Sequence, residues 1–170
     1  MGSTALNAER QSRRRVMRRY LVVANQTLGG DELLELIRRH AKAEPSEFFL
    51  IVPATPVMEM VQGLEGLAML GGSTVIPSSP AHARELAQQR LEAALVQLKA
   101  AGAKVEGLVG HRDPVRAVET AMKGRSFDEI IVSTLPRRVS RWLRQDLPHR
   151  LEHKTGLPVS QVGASKQAAH

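Results

Sequence analysis

The stretch from Asp128 to Val162 constrains the fold more than any other part of the chain. It contains a short apolar run, Ile130 to Val132, and then a predicted turn at Ser133-Thr134-Leu135-Pro136. An arginine-rich helix and a second strand, Pro158 to Val162, follow. A strand, a helix and a strand in this order form a βαβ unit with parallel strands. Ligands of open parallel sheets bind at the carboxyl ends of the strands, so we expect a site after Val132.

Three upstream apolar runs indicate further buried strands. They are Tyr20 to Ala24, Phe48 to Val52 and Val105 to Val109. Continuous apolar runs are typical of strands that are covered on both faces by helices. Strands that alternate with helices favour an α/β fold, here an open sheet of five parallel strands with helices on both faces.

Helix-start signals separate these strands. A polar residue whose side chain accepts from free amides, followed by proline in the first turn, begins a helix well. Asp31 is the predicted cap of the first helix, in which Leu34, Ile37 and Ala41 share one face. The other predicted caps are Ser79 before Pro80, Asp113 before Pro114, and Asp146 before Pro148. Residues 56–80 show no sustained period, which predicts either a loop over the site or a short helix.

Composition indicates one intracellular domain. A chain of 170 residues with 42% hydrophobic residues can bury one core of ordinary size. It contains no cysteine, which agrees with a reducing compartment, and no apolar run long enough to span a membrane. We therefore expect a cytoplasmic protein without a membrane partner.

The positive charge is concentrated at the amino terminus. Residues 1–19 hold six arginines and one glutamate, a net +5 of the total +7. We predict a basic, disordered arm over 1–18, an α/β domain over 19–163 and a flexible tail over 164–170. The arginines between Arg10 and Arg19 are either solvated or contact phosphates, which leaves a nucleic-acid partner as an alternative.

Common catalytic motifs are missing. The sequence has no Gly-x-Gly-x-x-Gly after a strand, no Walker-type Gly-Lys-Ser/Thr and no Gly-x-Ser-x-Gly. His149 and His153 match a His-x-x-Glu-His zinc pattern, but the pattern lies at the end of a helix and no third ligand is evident. We predict no metal and no catalytic residue.

Arginines crowd the segment that follows the predicted site. They precede the Asp146 cap and are Arg137, Arg138, Arg141 and Arg144. Arginine offers forked donors to oxyanions, so the segment is either a phosphate or acidic-partner site or an ordinary solvated helix face. Trp142 is interpreted as a packing anchor, because Val139 and Leu143 beside it are apolar.

Several segments together resemble the universal stress protein superfamily over about residues 19–163. Tyr20 to Asn25 is similar to its first strand, and Asp128 to Val132 to its fourth. Gly110-His111-Arg112-Asp113-Pro114 is similar to the start of the preceding helix, and Thr155-Gly156-Leu157-Pro158-Val159 to the closing strand. The resemblance implies the strand order 3-2-1-4-5 and a homodimer paired through strand five.

The ATP-binding members of that superfamily carry Gly-x2-Gly-x9-Gly-Ser/Thr after strand four. The same register falls here on Ser133, Pro136, Asp146 and Leu147, so every glycine is replaced. Pro136 lacks an amide donor, and Asp146 places a negative charge where a phosphate would lie. The aspartate that contacts adenosine in the superfamily corresponds to Asn25. We therefore expect no cofactor, and ATP binding that is weak at best.

Together with the missing catalytic motifs, the resemblance implies a non-enzymatic, stress-related regulatory or ligand-sensing protein, for which an unidentified small molecule is a candidate partner. The alternative is an adenine-nucleotide binder or weak ATPase in which arginines replace the glycine motif. The predicted site residues are Asn25, Val52, Arg112, Val132, Ser133, Arg137, Arg138 and Asp146.

Overall fold

The computed structural model describes residues 17–25, 27–55, 79–134, 142 and 145–163. Several sequence predictions lie outside these residues. They concern residues 1–16 of the basic arm, 56–78 of the predicted loop, the arginine-rich segment with Arg137 and Arg138, and the tail 164–170.

Five parallel strands form a single sheet. They are β1 (Arg18–Val23), β2 (Ser46–Pro53), β3 (Lys104–Gly110), β4 (Glu129–Thr134) and β5 (Val159–Gly163). Their order in the sheet is β3-β2-β1-β4-β5, and each neighbouring pair is parallel. The predicted α/β class and strand order are confirmed.

Helices cover both faces of the sheet. Within the described ranges these are α1 (Asp31–Ala43), α2 (Pro80–Ala100), α3 (Pro114–Ala121) and α4 (Leu147–Thr155). The first two pack on one face and the last two on the other. None of the helices in those ranges is long and apolar enough to cross a membrane.

The central strand β1 joins the two halves of the core. Tyr20 and Val22 face α1 and α2, whereas Leu21 and Val23 face α3 and α4. All four are 1% exposed or less, so the strand is buried on both faces. This burial explains the continuous apolar sequence, because successive side chains of a strand point to opposite faces.

Two helix starts match the predicted caps and two differ. The side chain of Ser79 accepts from the amide of His82, and that of Asp113 accepts from Val115. The cap of α1 is Gly30, so Asp31 is already the first helical residue. Its negative charge there interacts favourably with the positive end of the helix dipole. Asp146 is the cap of α4, but its side chain makes no capping hydrogen bond and its backbone is left-handed, with φ 53°.

The sequence predicts that β4 ends at Val132, and this prediction is wrong by two residues. β4 continues through Ser133 and Thr134, which pair with Val162 and Gly163 of β5. The side chains of Ser133 and Thr134 are therefore fixed on a strand rather than carried by a loop. Both are buried.

β1 begins one residue before the predicted domain boundary. Arg18 is its first residue and forms an ion pair with Glu129 at 3.1 Å, while Arg19 lies 3.5 Å from Glu47. These two arginines of the basic cluster therefore belong to the sheet.

Candidate ligand site at the carboxyl end of the sheet

Buried polar side chains concentrate at the carboxyl ends of β1 and β4. Among the described residues five uncharged polar residues are buried, and four of them lie here: Asn25, Thr27, Ser133 and Thr134. These four and Arg90, which reaches Asn25 from α2, are called the carboxyl-end cluster below. Burying polar groups costs free energy unless each finds a partner, so a concentration of them needs a physical reason.

Asn25 is held from two sides. Its Nδ2 donates to the carbonyl oxygen of Pro53 at 2.7 Å, and its Oδ1 accepts from Nη1 of Arg90 at 2.6 Å. The two bonds fix the orientation of the amide, because the carbonyl needs a donor and the guanidinium needs an acceptor. Asn25 is 4% exposed.

Arg90 is a partly buried cation with a neutral partner. It forms no ion pair with a carboxylate of the described residues; the ion pairs there involve other residues. Burial lowers the pKa of Arg90 below its usual value, which reflects the loss of water around the charge. The guanidinium remains protonated, since even a lowered arginine pKa stays far above neutrality.

Two hydroxyl groups of the cluster bind each other. Oγ of Ser133 donates to Oγ1 of Thr27 at 2.7 Å, which joins the end of β4 to the turn after β1. Thr27 is left with its own proton to donate. Thr134, the next residue of β4, points to the opposite face of the sheet by alternation, and its buried Oγ1 has no hydrogen-bond partner among the described residues. An unsatisfied buried hydroxyl costs about 1–3 kcal/mol, so a polar ligand that reaches it would recover free energy.

The other predicted site residues that the structure describes lie apart from this cluster; Arg137 and Arg138 lie outside the described residues. Val52 and Val132 are fully buried core side chains, so only their backbone faces the carboxyl end of the sheet. Arg112 is exposed after β3, where its carbonyl accepts from Thr55 at 3.2 Å. Asp146 is exposed at the start of α4. Of the predicted residues within the described ranges, the structure brings only Asn25 and Ser133 into the cluster.

Sequence reasoning missed Arg90, Thr27 and Thr134. A signal for Arg90 was present, because it sits beside the apolar stripe of α2, three residues after Ala87 and next to Leu91. An arginine at that position must either snorkel to water or find a buried acceptor. The sequence predicts a turn at Thr134, and a turn does not fix the direction of its side chain as a strand such as β4 does.

The cluster offers hydrogen bonds and one permanent charge. None of its five members titrates near neutral pH, so none can serve as a general acid or base at that pH. Within the described part of the chain, no group of three metal-ligating side chains is found, and His149 and His153 are exposed on α4. The arrangement can hold and orient a polar molecule.

A second depression lies at the opposite, amino end of the sheet. It has a volume of about 260 Å³, and Phe49 and Phe127 lie in its wall with ring centroids 6.0 Å apart. The guanidinium of Arg125 covers the ring of Phe49 at 4.3 Å. Glu47 already pairs with Lys104 and Arg19, and the hydrogen bond from Lys104 lowers the pKa of Glu47. This groove is called the amino-end groove. Its charged side chains largely neutralise one another.

Comparison of the whole structure with solved structures identifies its architecture. A universal stress protein from Archaeoglobus fulgidus superposes with a TM-score of 0.52 at 13% identity, over 85% of this chain and 92% of that one. The chain has the universal stress protein fold. A member of the same family from Burkholderia pseudomallei gives a TM-score of 0.48 at 15% identity, over 85% of this chain and 94% of that one. No protein-family model and no curated protein sequence matches the chain.

The universal stress protein fold places the cluster where parallel sheets bind ligands. β1 and β4 are adjacent, and the helices that follow them lie on opposite faces, so the strand order reverses between them, which is the point where open parallel sheets bind ligands. Asn25 and Ser133 lie at the ends of these two strands. The predicted location of the site and its polar contents therefore coincide.

Proposed function

We propose that this protein is a non-catalytic, stress-related regulator that senses a small molecule at the carboxyl end of its sheet. The observation that carries the proposal is the concentration of four buried polar residues at the ends of β1 and β4. Stress-related activity is proposed because the structural neighbours are universal stress proteins. The proposed regulator works as a homodimer paired through β5.

The chemistry of the cluster supports binding rather than turnover. The hydroxyls of Thr27 and Ser133 bond each other, and no histidine or carboxylate among the described residues is hydrogen-bonded to either. A serine or threonine without an adjacent base is a weak nucleophile. We therefore expect the bound molecule to leave the protein chemically unchanged.

Native mass spectrometry of the gently purified protein tests this proposal. The parent should carry a small molecule, and Ser133→Ala should retain clearly less of it because the variant loses one hydroxyl of the cluster. Ser126→Ala is the matched control, since Ser126 is an exposed serine at the amino end of the sheet. The released molecule should remain intact after prolonged incubation with fresh protein. Conversion of it, or equal retention by Ser133→Ala and the parent, would contradict the proposal.

Adenine-nucleotide binding is the rival function, and the cation Arg90 at this end of the sheet is the observation that favours it. Against it stand the missing glycines, since Ser133 lies within β4 and Asp146 puts a carboxylate at the start of α4. We expect calorimetry with Mg-ATP to show binding weaker than micromolar. A micromolar dissociation constant that Arg90→Gln weakens would instead favour the nucleotide function.

A further inference from the structure

Arg90 carries a charge that the described part of the fold does not neutralise. Its side chain leaves α2 beside the buried Ala87 and Leu91 and ends at the amide oxygen of Asn25. Partly buried cations are normally paired, because an unpaired charge loses hydration without compensation. An uncharged amide gives Arg90 a hydrogen bond but no countercharge.

The residue at position 25 determines whether that charge is available. The carbonyl of Pro53 lies 2.7 Å from Nδ2 of Asn25 and can only accept. A carboxylate in this place would have no proton to donate to it, whereas an amide satisfies the carbonyl and the guanidinium together. Asn25 therefore orients Arg90 without neutralising it.

We propose that Arg90 binds an oxyanion, namely the phosphate, sulfate or carboxylate group of a small molecule, and that Asn25 holds the guanidinium in place and leaves its charge free. Arginine presents five donors in a fork, of which the bond to Asn25 uses one. The free hydroxyl proton of Thr27 supplies a further donor in the same cluster. This inference rests on the proposed function, because it names the chemical class that the carboxyl-end cluster recognises.

The test compares anion binding by the full-length parent and by two variants. The probes are sulfate, which stays doubly charged over the working pH range, and malonate for the carboxylate class. Binding is followed by amide chemical shifts in NMR at neutral pH. Saturable binding of sulfate alone assigns a phosphate-like ligand, and saturable binding of malonate alone assigns a carboxylate. If the parent protein binds neither sulfate nor malonate, the proposal is overturned.

Arg90→Gln removes the charge and should weaken binding of the preferred anion at least about tenfold, because hydrogen bonds to charged groups are among the strong ones. Arg84→Gln is the matched control. It lies on the exposed side of α2 and removes the same charge, so it should bind as the parent does. Equal weakening by both variants would show a general charge effect and overturn the assignment of Arg90, as would unchanged binding by Arg90→Gln.

Asn25→Asp gives a second readout that depends on pH. At neutral pH the introduced carboxylate pairs with Arg90. Anion binding should therefore fall by a factor similar to that expected for Arg90→Gln. Well below the ordinary carboxyl range, at about pH 3 or lower, the protonated group again donates to Pro53 and accepts from Arg90, so binding relative to the parent should recover. A loss that does not recover in the folded variant would contradict the role of Asn25. If Asn25→Asp fails to fold, the Arg90→Gln comparison decides alone.

The outcomes separate this inference from the proposed function. If the molecule found by native mass spectrometry carries no oxyanion and binds equally well to Arg90→Gln, the inference fails and the sensing function stands. If the protein carries no molecule but binds sulfate through Arg90, the anion site stands and the sensing function fails.

Discussion

A single buried tyrosine links α1 to the sheet. The hydroxyl of Tyr20 donates to Glu44 at 3.0 Å and lies 3.0 Å from Nδ1 of His40. Because the phenol has only one proton, His40 must be the donor in the second contact, which places a proton on Nδ1. Burial, followed by the hydrogen bond to Glu44, raises the pKa of Tyr20 to about 12.

This raised pKa predicts a loss of stability at high pH. The neutral phenol is favoured in the folded state, so the contribution is fully present below pH 10 and is lost as the pH rises towards 12. The shift corresponds to about 2–3 kcal/mol. Tyr20 is the only tyrosine in the chain, so its ultraviolet titration reports on one group.

The native protein should form tyrosinate with a midpoint near 12, and the protein in denaturant with a midpoint near 10. The variant Tyr20→Phe contains no tyrosine and therefore gives the background absorbance for this titration. A native midpoint near 10 would show that Tyr20 is not held in the neutral form by its surroundings.

At the same scale, the sequence identified only part of the ligand site. Asn25 and Ser133 were predicted because they follow two apolar runs, and strand ends can be read from the sequence. Arg90 was missed because its role depends on where α2 lies against β1, which is a tertiary property. Val52 and Val132 were predicted from strand position, although their side chains face the core.

At the scale of elements, α2 approaches β3 closely enough to require a glycine. A Cβ added to Gly107 would lie 2.7 Å from Cδ1 of Leu91 and 2.8 Å from the carbonyl oxygen of Leu50. Backbone cannot move aside as a flexible side chain can. We expect Gly107→Ala to lower the free energy of unfolding by about 1–3 kcal/mol, as overpacking usually does.

Gly29→Ala is the control for that substitution, because a Cβ there would meet nothing within 4 Å. Chemical denaturation of both variants provides the comparison. Equal midpoints would mean that α2 and β3 are not packed this closely.

Most element boundaries were predictable from local chemistry. Ser79-Pro80 and Asp113-Pro114 started helices as expected, because a side-chain cap and a proline act within one turn. The end of β4 was not predictable in the same way. Ser133 and Thr134 favour turns locally, but pairing with β5 keeps them extended.

At the scale of the whole molecule, β5 is an edge strand of the sheet that the described residues form. The amide of Ile130 donates to the carbonyl of Pro158, so Pro158 and, by alternation, Ser160 point towards β4. The backbone groups of Gln161 consequently point away from the sheet. An exposed strand edge must be covered or paired, and pairing with a second copy gives a closed two-fold dimer.

Gln161→Pro should therefore weaken the proposed homodimer and leave the fold intact, because it removes an outward donor. Ser160→Pro is the matched comparison and should destabilise the fold, since it removes a donor to β4. Sedimentation gives the association state, and circular dichroism gives the thermal midpoint. A parent protein that is monomeric at micromolar concentration would refute the dimer.

We propose that a ligand binds at the carboxyl end of the sheet through the cluster around Asn25 and Arg90. Backbone NMR of the full-length protein, titrated with sulfate or with the molecule released on purification, tests it most directly. We expect the largest amide shifts at Asn25, Thr27 and Ser133, and we expect them to vanish in Arg90→Gln. Shifts centred on Phe49 and Arg125 in the amino-end groove, with the carboxyl-end cluster unchanged, would contradict it.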